Sequence, residues 1–152
     1  MFEPLEPHED VEFEQHRVPL DTVPAPRLRA VETLRDVPAY ELDEAEIVIG
    51  IGAGIAPGEV EPVAATLRAA VGGTSESQVP ESRKIGLLGR PVAPKLYIAV
   101  GTEGGFEHST GTVKAGVVAA LDSAPDLPAD VRLAGDWRET LPALAEALAG
   151  KL

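Results

Sequence analysis

Short β-branched runs alternate along the chain with longer stretches whose apolar residues recur every three or four positions. Ala45 to Ile51 (AEIVIGI) is such a run, and an unbroken apolar stretch of this length predicts a central strand buried on both faces. Leu96 to Val100, Val117 to Leu121 and Val131 to Ala134 repeat the pattern and predict further buried strands. Pro57 to Val71 has the helical period instead: Val60, Val63, Ala64, Leu67 and Val71 fall on one face. Pro57 suits a first helical turn, Glu59 and Glu61 suit its positive end, and Gly72-Gly73 reads as its stop. A short helix is expected over Phe106 to Thr110. A last one is expected from Asp136 to about Ala149, with Leu141, Leu144, Ala145 and Leu148 inward. Thr74 to Gln78 reads as a short strand, and Val79 to Pro94 as a loop containing Gly86 and Gly89. Upstream, Val11 to Leu20 alternates like an edge strand, Asp21 to Pro26 is a connection, and Leu28 to Leu34 fits a strand or one helical turn, the strand being favoured.

Strands alternating with helices put the chain in the α/β class, with a doubly wound, mostly parallel sheet. Its 152 residues suffice for one domain with a full core. The expected division is a flexible tail over residues 1–10 and a single domain over 11–152. Within it, 11–44 supply N-terminal strands and 45–152 a nucleotide-binding core.

Composition narrows the function classes. There is no cysteine, which removes disulfides, thiolate chemistry and cysteine-held metals. Acids number 25 against 13 bases, a net charge of -12, so no basic patch is available for nucleic-acid phosphates. The acidic, Lys-poor, Ala/Val-rich balance suits a high-salt cytoplasm; an acidic protein from a GC-rich genome would read the same way. The N-terminus has no secretory pattern and no stretch reaches the length of a membrane span, so the expected location is cytoplasmic.

The candidate chemistry lies at strand ends. Gly50-Ile51-Gly52-Ala53-Gly54 follows a strand and precedes a helix, where Gly52 could admit a phosphate to backbone N–H groups or simply make a tight turn. Gly101-Thr102-Glu103-Gly104-Gly105-Phe106-Glu107-His108 leaves a strand end uncluttered beside the crevice where such sheets hold ligands. His108 could donate to a carbonyl or anion there or be a packed side chain, and Glu103 and Glu107 would repel a pyrophosphate unless turned away. Asp122 ends a strand at the same rim, where an acid holds a ribose hydroxyl or starts a turn. Asp136 and Glu139 form D-x-x-E, a helix cap that explains Asp136 without a ligand, and Trp137 could simply cover that helix start. The histidines stand at 8, 16 and 108, and no nucleophile–base–orienter set or metal cluster converges on them, so an enzyme working through its own side chains is not expected.

The segment Leu96-Tyr97-Ile98-Ala99-Val100-Gly101, with Gly104, His108 and Gly111, resembles the signature of the C-terminal, FAD-binding domain of the electron transfer flavoprotein alpha subunit. Val92-Ala93-Pro94, the Leu67 to Gly72 stretch and the closing helix resemble it too, over roughly residues 45–149. The resemblance implies a Rossmann-like, DHS-like NAD/FAD-binding fold with FAD across the strand ends. It also implies a passive electron carrier whose partners are a beta-type electron transfer flavoprotein subunit or a dehydrogenase. It brings Gly52, Thr74, Gly86, Gly104, Gly105, Phe106, Glu107, His108, Asp122 and the Asp136-Trp137 pair onto or beside the family's cofactor contacts.

Departures fall on those contacts: Ala53, Thr74-Ser75, Leu87-Leu88-Gly89, Glu103, Glu107 and Asp122 stand where the family has donors or amides. Arg90 and Lys84 are the cations left nearby. The alternatives are a cofactor-free scaffold that assembles with a flavoprotein, or with copies of itself, and an AMP/ADP-binding domain without redox work.

Overall fold

The computed structural model describes residues 40–151, which fall within one compact unit. The expected tail over 1–10 and the strands over 11–20 and 28–34 lie outside the described residues. Five parallel strands form one sheet in the order β2-β1-β3-β4-β5. They are β1 (Ile47–Ile51), β2 (Ala70–Gly73), β3 (Leu96–Val100), β4 (Val117–Leu121) and β5 (Val131–Leu133). The helices are α1 (Pro57–Leu67), α2 (Phe106–Thr112) and α3 (Trp137–Ala149), with a 3-10 turn at Glu81–Arg83. The expected α/β, doubly wound, parallel class is therefore what the chain adopts.

Alternation along the strands sorts side chains into two cores. Ile47, Ile49 and Ile51 of β1 and Ile98 and Val100 of β3 face Val60, Ala64 and Leu67 of α1 and Trp137, Leu141 and Ala145 of α3. Val48, Tyr97, Ala99 and Ala120 face the other way, toward Ile85, Val92 and Leu127. Each Val, Leu or Ile so buried stabilises the fold by roughly 1.5–3 kcal/mol. Glu59 ties the first face together at the helix starts. Its carboxylate accepts from the Ala56 N–H at 3.1 Å and from Arg138 at 3.0 Å, which holds it below the usual carboxylate range.

Two expected elements are corrected. The first helix ends at Leu67, with Arg68 in the left-handed conformation (φ 52°), and does not run to Val71. The strand that follows is Ala70–Gly73, whereas Thr74 to Gln78 is turn. The reason is pairing: Ala70 to Gly73 align with Val48 to Ile51. Glycine is required there by what lies over it, since a Cβ on Gly72 would meet Ile85 Cδ1 at 2.5 Å and one on Gly73 would meet Ser77 Oγ at 2.2 Å. The short helix runs on to Thr112, and β5 stops at Leu133.

The β2 edge is tied down, and a side chain of β5 holds the connection that precedes it. On the β2 side, Ile85 N–H donates to Gly73 O at 2.8 Å and Arg83 donates to Val71 O at 2.9 Å. On the β5 side, Arg132 donates to the carbonyls of Ala124 (3.1 Å), Pro125 (2.9 Å) and Leu127.

Candidate flavin cleft

β1 is the point at which the sheet order reverses: the chain leaves it for β2 on one side and returns to β3 on the other. Open α/β sheets bind ligands outside the carboxyl ends at such a point. A cleft of about 340 Å³ opens there, between the loop after β2 and the loop after β3. Thr74, Ser75 and Glu76 form one wall, Glu103 to His108 the other, and Glu81 with Lys84 to Gly89 the third.

Behind His108 in the cleft lining lies a buried pair. Gly50 has no side chain, and the Tyr97 ring fills that space: a Cβ on Gly50 would lie 1.7 Å from the Tyr97 hydroxyl oxygen. Tyr97 is fully buried and its hydroxyl lies 2.8 Å from His108 Nε2. His108 is itself only 5 % exposed, and its Nδ1 lies 3.3 Å from the Ile85 carbonyl. That carbonyl can only accept, so Nδ1 carries the proton, and Nε2 of the neutral ring accepts from the Tyr97 hydroxyl. Burial lowers the His108 pKa, partly opposed by the Ile85 hydrogen bond, and burial pushes the Tyr97 phenol far up. Both ring nitrogens are thus engaged within the protein.

The lip is apolar. Leu87, Leu88 and Phe106 are 55 %, 89 % and 75 % exposed, beside buried Ile85. The electrostatics of the walls are acidic: Glu76, Glu81, Glu103 and Glu107 line the cleft, and Lys84 is the one cation among its lining residues. Lys84 is paired with Glu81 at 2.7 Å. Arg90 is outside the lining and pairs with Asp43 at 3.2 Å, while Arg83 donates to the carbonyls of Val71 and Tyr40.

Of the residues singled out from sequence, Thr74, Gly86, Gly104, Gly105, Phe106, Glu107 and His108 come together in this cleft. Gly86 (φ +143°) packs its backbone on α2, where a Cβ would meet the Glu107 carbonyl at 2.8 Å. Gly52 does not line the cleft. It seals the ends of β1 and β3: its N–H donates to Val100 O at 3.0 Å, and a Cβ would lie 1.8 Å from Gly101 O. Asp122 is exposed, at φ 46°, in the turn after β4. Asp136 caps α3, accepting from the Arg138 N–H at 2.8 Å, and Trp137 is buried in the core with the Arg138 guanidinium 4.5 Å over its ring. Among the described residues no cluster of His, Asp and Glu could hold a metal ion, and no helix is long and apolar enough to cross a membrane.

Sequence reasoning passed over Glu76, Glu81 and Ile85 as site residues, and it passed over Asp126, which neighbours the cleft without lining it. A Cβ on Gly104 would lie 2.1 Å from Asp126 Oδ1 and 2.9 Å from Oδ2, so that carboxylate is seated on the glycine. Gly105 (φ +134°) by contrast faces open space. This decides how far FAD fits. The apolar lip suits the uncharged, planar ring system of a flavin. The diphosphate finds no unpaired cation along the walls, where Glu76, Glu81, Glu103 and Glu107 stand instead, with Asp126 packed against Gly104 just outside the lining. The ring end fits and the diphosphate end does not.

Residues 41–113 match the family described as the electron transfer flavoprotein FAD-binding domain. The chain is 36 % identical over 120 residues to the mitochondrial electron transfer flavoprotein subunit alpha of Dictyostelium discoideum, covering 71 % of this chain and 34 % of that protein. It is 31 % identical over 117 residues to the subunit alpha of Thermoanaerobacterium thermosaccharolyticum (69 % and 36 %) and 30 % identical over 143 residues to that of Mycobacterium leprae (83 % and 45 %). The chain therefore spans between a third and a half of the length of these relatives.

Proposed function

We propose that the chain is a FAD-binding domain of the electron transfer flavoprotein alpha type, that its cleft seats a flavin ring and that the domain serves as an electron carrier. The observation that carries the reading is the cleft itself. It opens at the carboxyl ends flanking β1, has an exposed apolar lip at Leu87, Leu88 and Phe106, and is built on the residues that the family match covers. The ring, when bound, supplies the redox chemistry, and the protein holds it and sets its surroundings. Ile85, Leu87, Leu88 and Phe106 would cover the ring and exclude water. The Tyr97–His108 pair keeps the His108 part of the lining fixed and uncharged, because its protons are committed to the Ile85 carbonyl and to Nε2. A beta-type subunit or a dehydrogenase is the partner class that the family implies, and the electron-carrying role requires one.

The test is co-elution. The purified full chain is incubated with riboflavin and with FAD, at low and at high salt, and passed over a sizing column while visible flavin absorbance is followed. Flavin travelling with the protein, and bleaching reversibly on reduction and reoxidation, supports the reading. No visible band with either compound at either salt sinks it.

A second reading is a cofactor-free subunit that assembles with a flavoprotein. What favours it is the wall of Glu76, Glu81, Glu103 and Glu107 with Asp126 on Gly104. The same carboxylates weigh against AMP or ADP, which would bring phosphates without the isoalloxazine that the apolar lip suits.

A further inference from the structure

Resting on the flavin reading, we propose that the cleft selects against phosphate: it takes the uncharged ring and ribityl chain of a flavin in preference to the phosphorylated forms FMN and FAD. Every wall contributes to the discrimination. Glu76 follows β2, Glu103 and Glu107 follow β3, and Glu81 sits on the loop between them. The cation among them, Lys84, is held 2.7 Å from Glu81 and brings no unpaired positive charge. Asp126 comes from the turn after β4 and is seated on Gly104, within 2.1 Å of where a Cβ would stand. Asp126 does not line the cleft, but a phosphate approaching that glycine would feel its negative charge from behind the wall.

The apolar part of the site is not emptied in the same way. Leu87, Leu88 and Phe106 remain exposed around the mouth, and Gly105 faces open space. Shape and hydrophobicity admit a planar ring, and charge rejects its anionic tail. The repulsion is Coulombic and involves exposed carboxylates, so salt weakens it.

The experiment titrates the full chain with riboflavin, FMN and FAD and follows quenching of flavin fluorescence. It is run at roughly 0.02 M and at about 1 M KCl, where the screening length falls from tens of ångströms to a few. At low salt riboflavin is expected to bind about ten-fold more tightly than either FMN or FAD, a gap of ~1.4 kcal/mol. The gap should close substantially at high salt. Asp126→Asn should close part of it at low salt, and Glu103→Gln with Glu107→Gln should close more. All three side chains are exposed, so these variants are expected to fold, and circular dichroism checks it. FAD binding as tightly as riboflavin at low salt overturns the proposal while leaving the flavin reading intact. So does a gap that neither salt nor the substitutions change. Absence of quenching with all three compounds overturns both.

Discussion

Gly50→Ala tests the buried Tyr97–His108 pair behind the cleft most directly. The new methyl would stand 1.7 Å from the Tyr97 hydroxyl oxygen and 2.4 Å from Cζ, inside a ring that is fully buried. Tyr97 has to move, and moving it breaks the 2.8 Å hydrogen bond to His108 Nε2. Over-packing a dense core costs roughly 1–3 kcal/mol. A buried hydroxyl left without a partner costs about 1–3 kcal/mol more. Alanine gives back about 0.4–1 kcal/mol by restricting the unfolded chain. The net expectation is a loss of roughly 2–4 kcal/mol, or a fall in Tm of about 5–15 °C for a domain of this size. Urea unfolding followed by the fluorescence of Trp137, the chain's only tryptophan and a core residue, measures it. The control is the same substitution in a Tyr97→Val background. With the ring gone, Gly50→Ala should cost less than about 0.5 kcal/mol, a coupling that sites out of contact do not show. If Gly50→Ala is nearly neutral in the parent, or costs the same in both backgrounds, the ring-over-glycine account is wrong.

Gly52→Ala places a methyl 1.8 Å from a backbone oxygen that has no side-chain freedom with which to yield. It should cost more than Gly50→Ala, about 4 kcal/mol or beyond, and show as loss of soluble folded protein or a collapsed urea midpoint. Asp136→Ala removes the cap accepted from Arg138 N–H and should cost about 1 kcal/mol, with Asp136→Ser recovering most of it; equal midpoints for the Ala and Ser variants would refute the capping role. His108 has a folded pKa below its ordinary value of 6.5, so the unfolded chain binds the proton first as pH falls. Its contribution is fully present above pH 6.5 and declines below it by at most about 1.4 kcal/mol per unit until the folded pKa is reached. Urea midpoints of the parent should therefore fall between pH 7.5 and 5.5 by more than those of His108→Asn, and parallel profiles would argue against a buried neutral ring.

Much of the sheet was legible because strands buried on both faces write themselves as β-branched runs. Ile47 to Ile51 and Leu96 to Val100 are examples, and the two alternate sides of each strand meet two separate cores. Asp136 was legible for a similar reason, since an acid before a helix with Glu three residues on has a local cause. β2 was not legible. Ala70-Val71-Gly72-Gly73 continues the spacing of the preceding helix and then offers two glycines, which read as a stop. Their real causes are Arg83 and Ile85 pressing on Gly72 from farther along the chain and Ser77 folding over Gly73. The cleft divides the same way. Its glycine turn and His108 are contiguous in sequence and were found together, whereas Glu76, Glu81 and the neighbouring Asp126 arrive from other connections. The Tyr97–His108 bond spans a strand, a turn and a helix start, and the one hint of it was a glycine at position 50 in the middle of a strand.

The ties along the β2 edge of the sheet carry a consequence for handling the protein. An open edge strand is a template on which another chain can add, strand upon strand, into a fibril. Here the carbonyls of Val71 and Gly73 are already claimed by Arg83 and Ile85 on one side. On the other side the last strand is three residues long and its arginine is folded back onto the preceding turn. Arg83→Ala should free that first edge, and slow growth of thioflavin-positive aggregates on concentrated storage would be its signature.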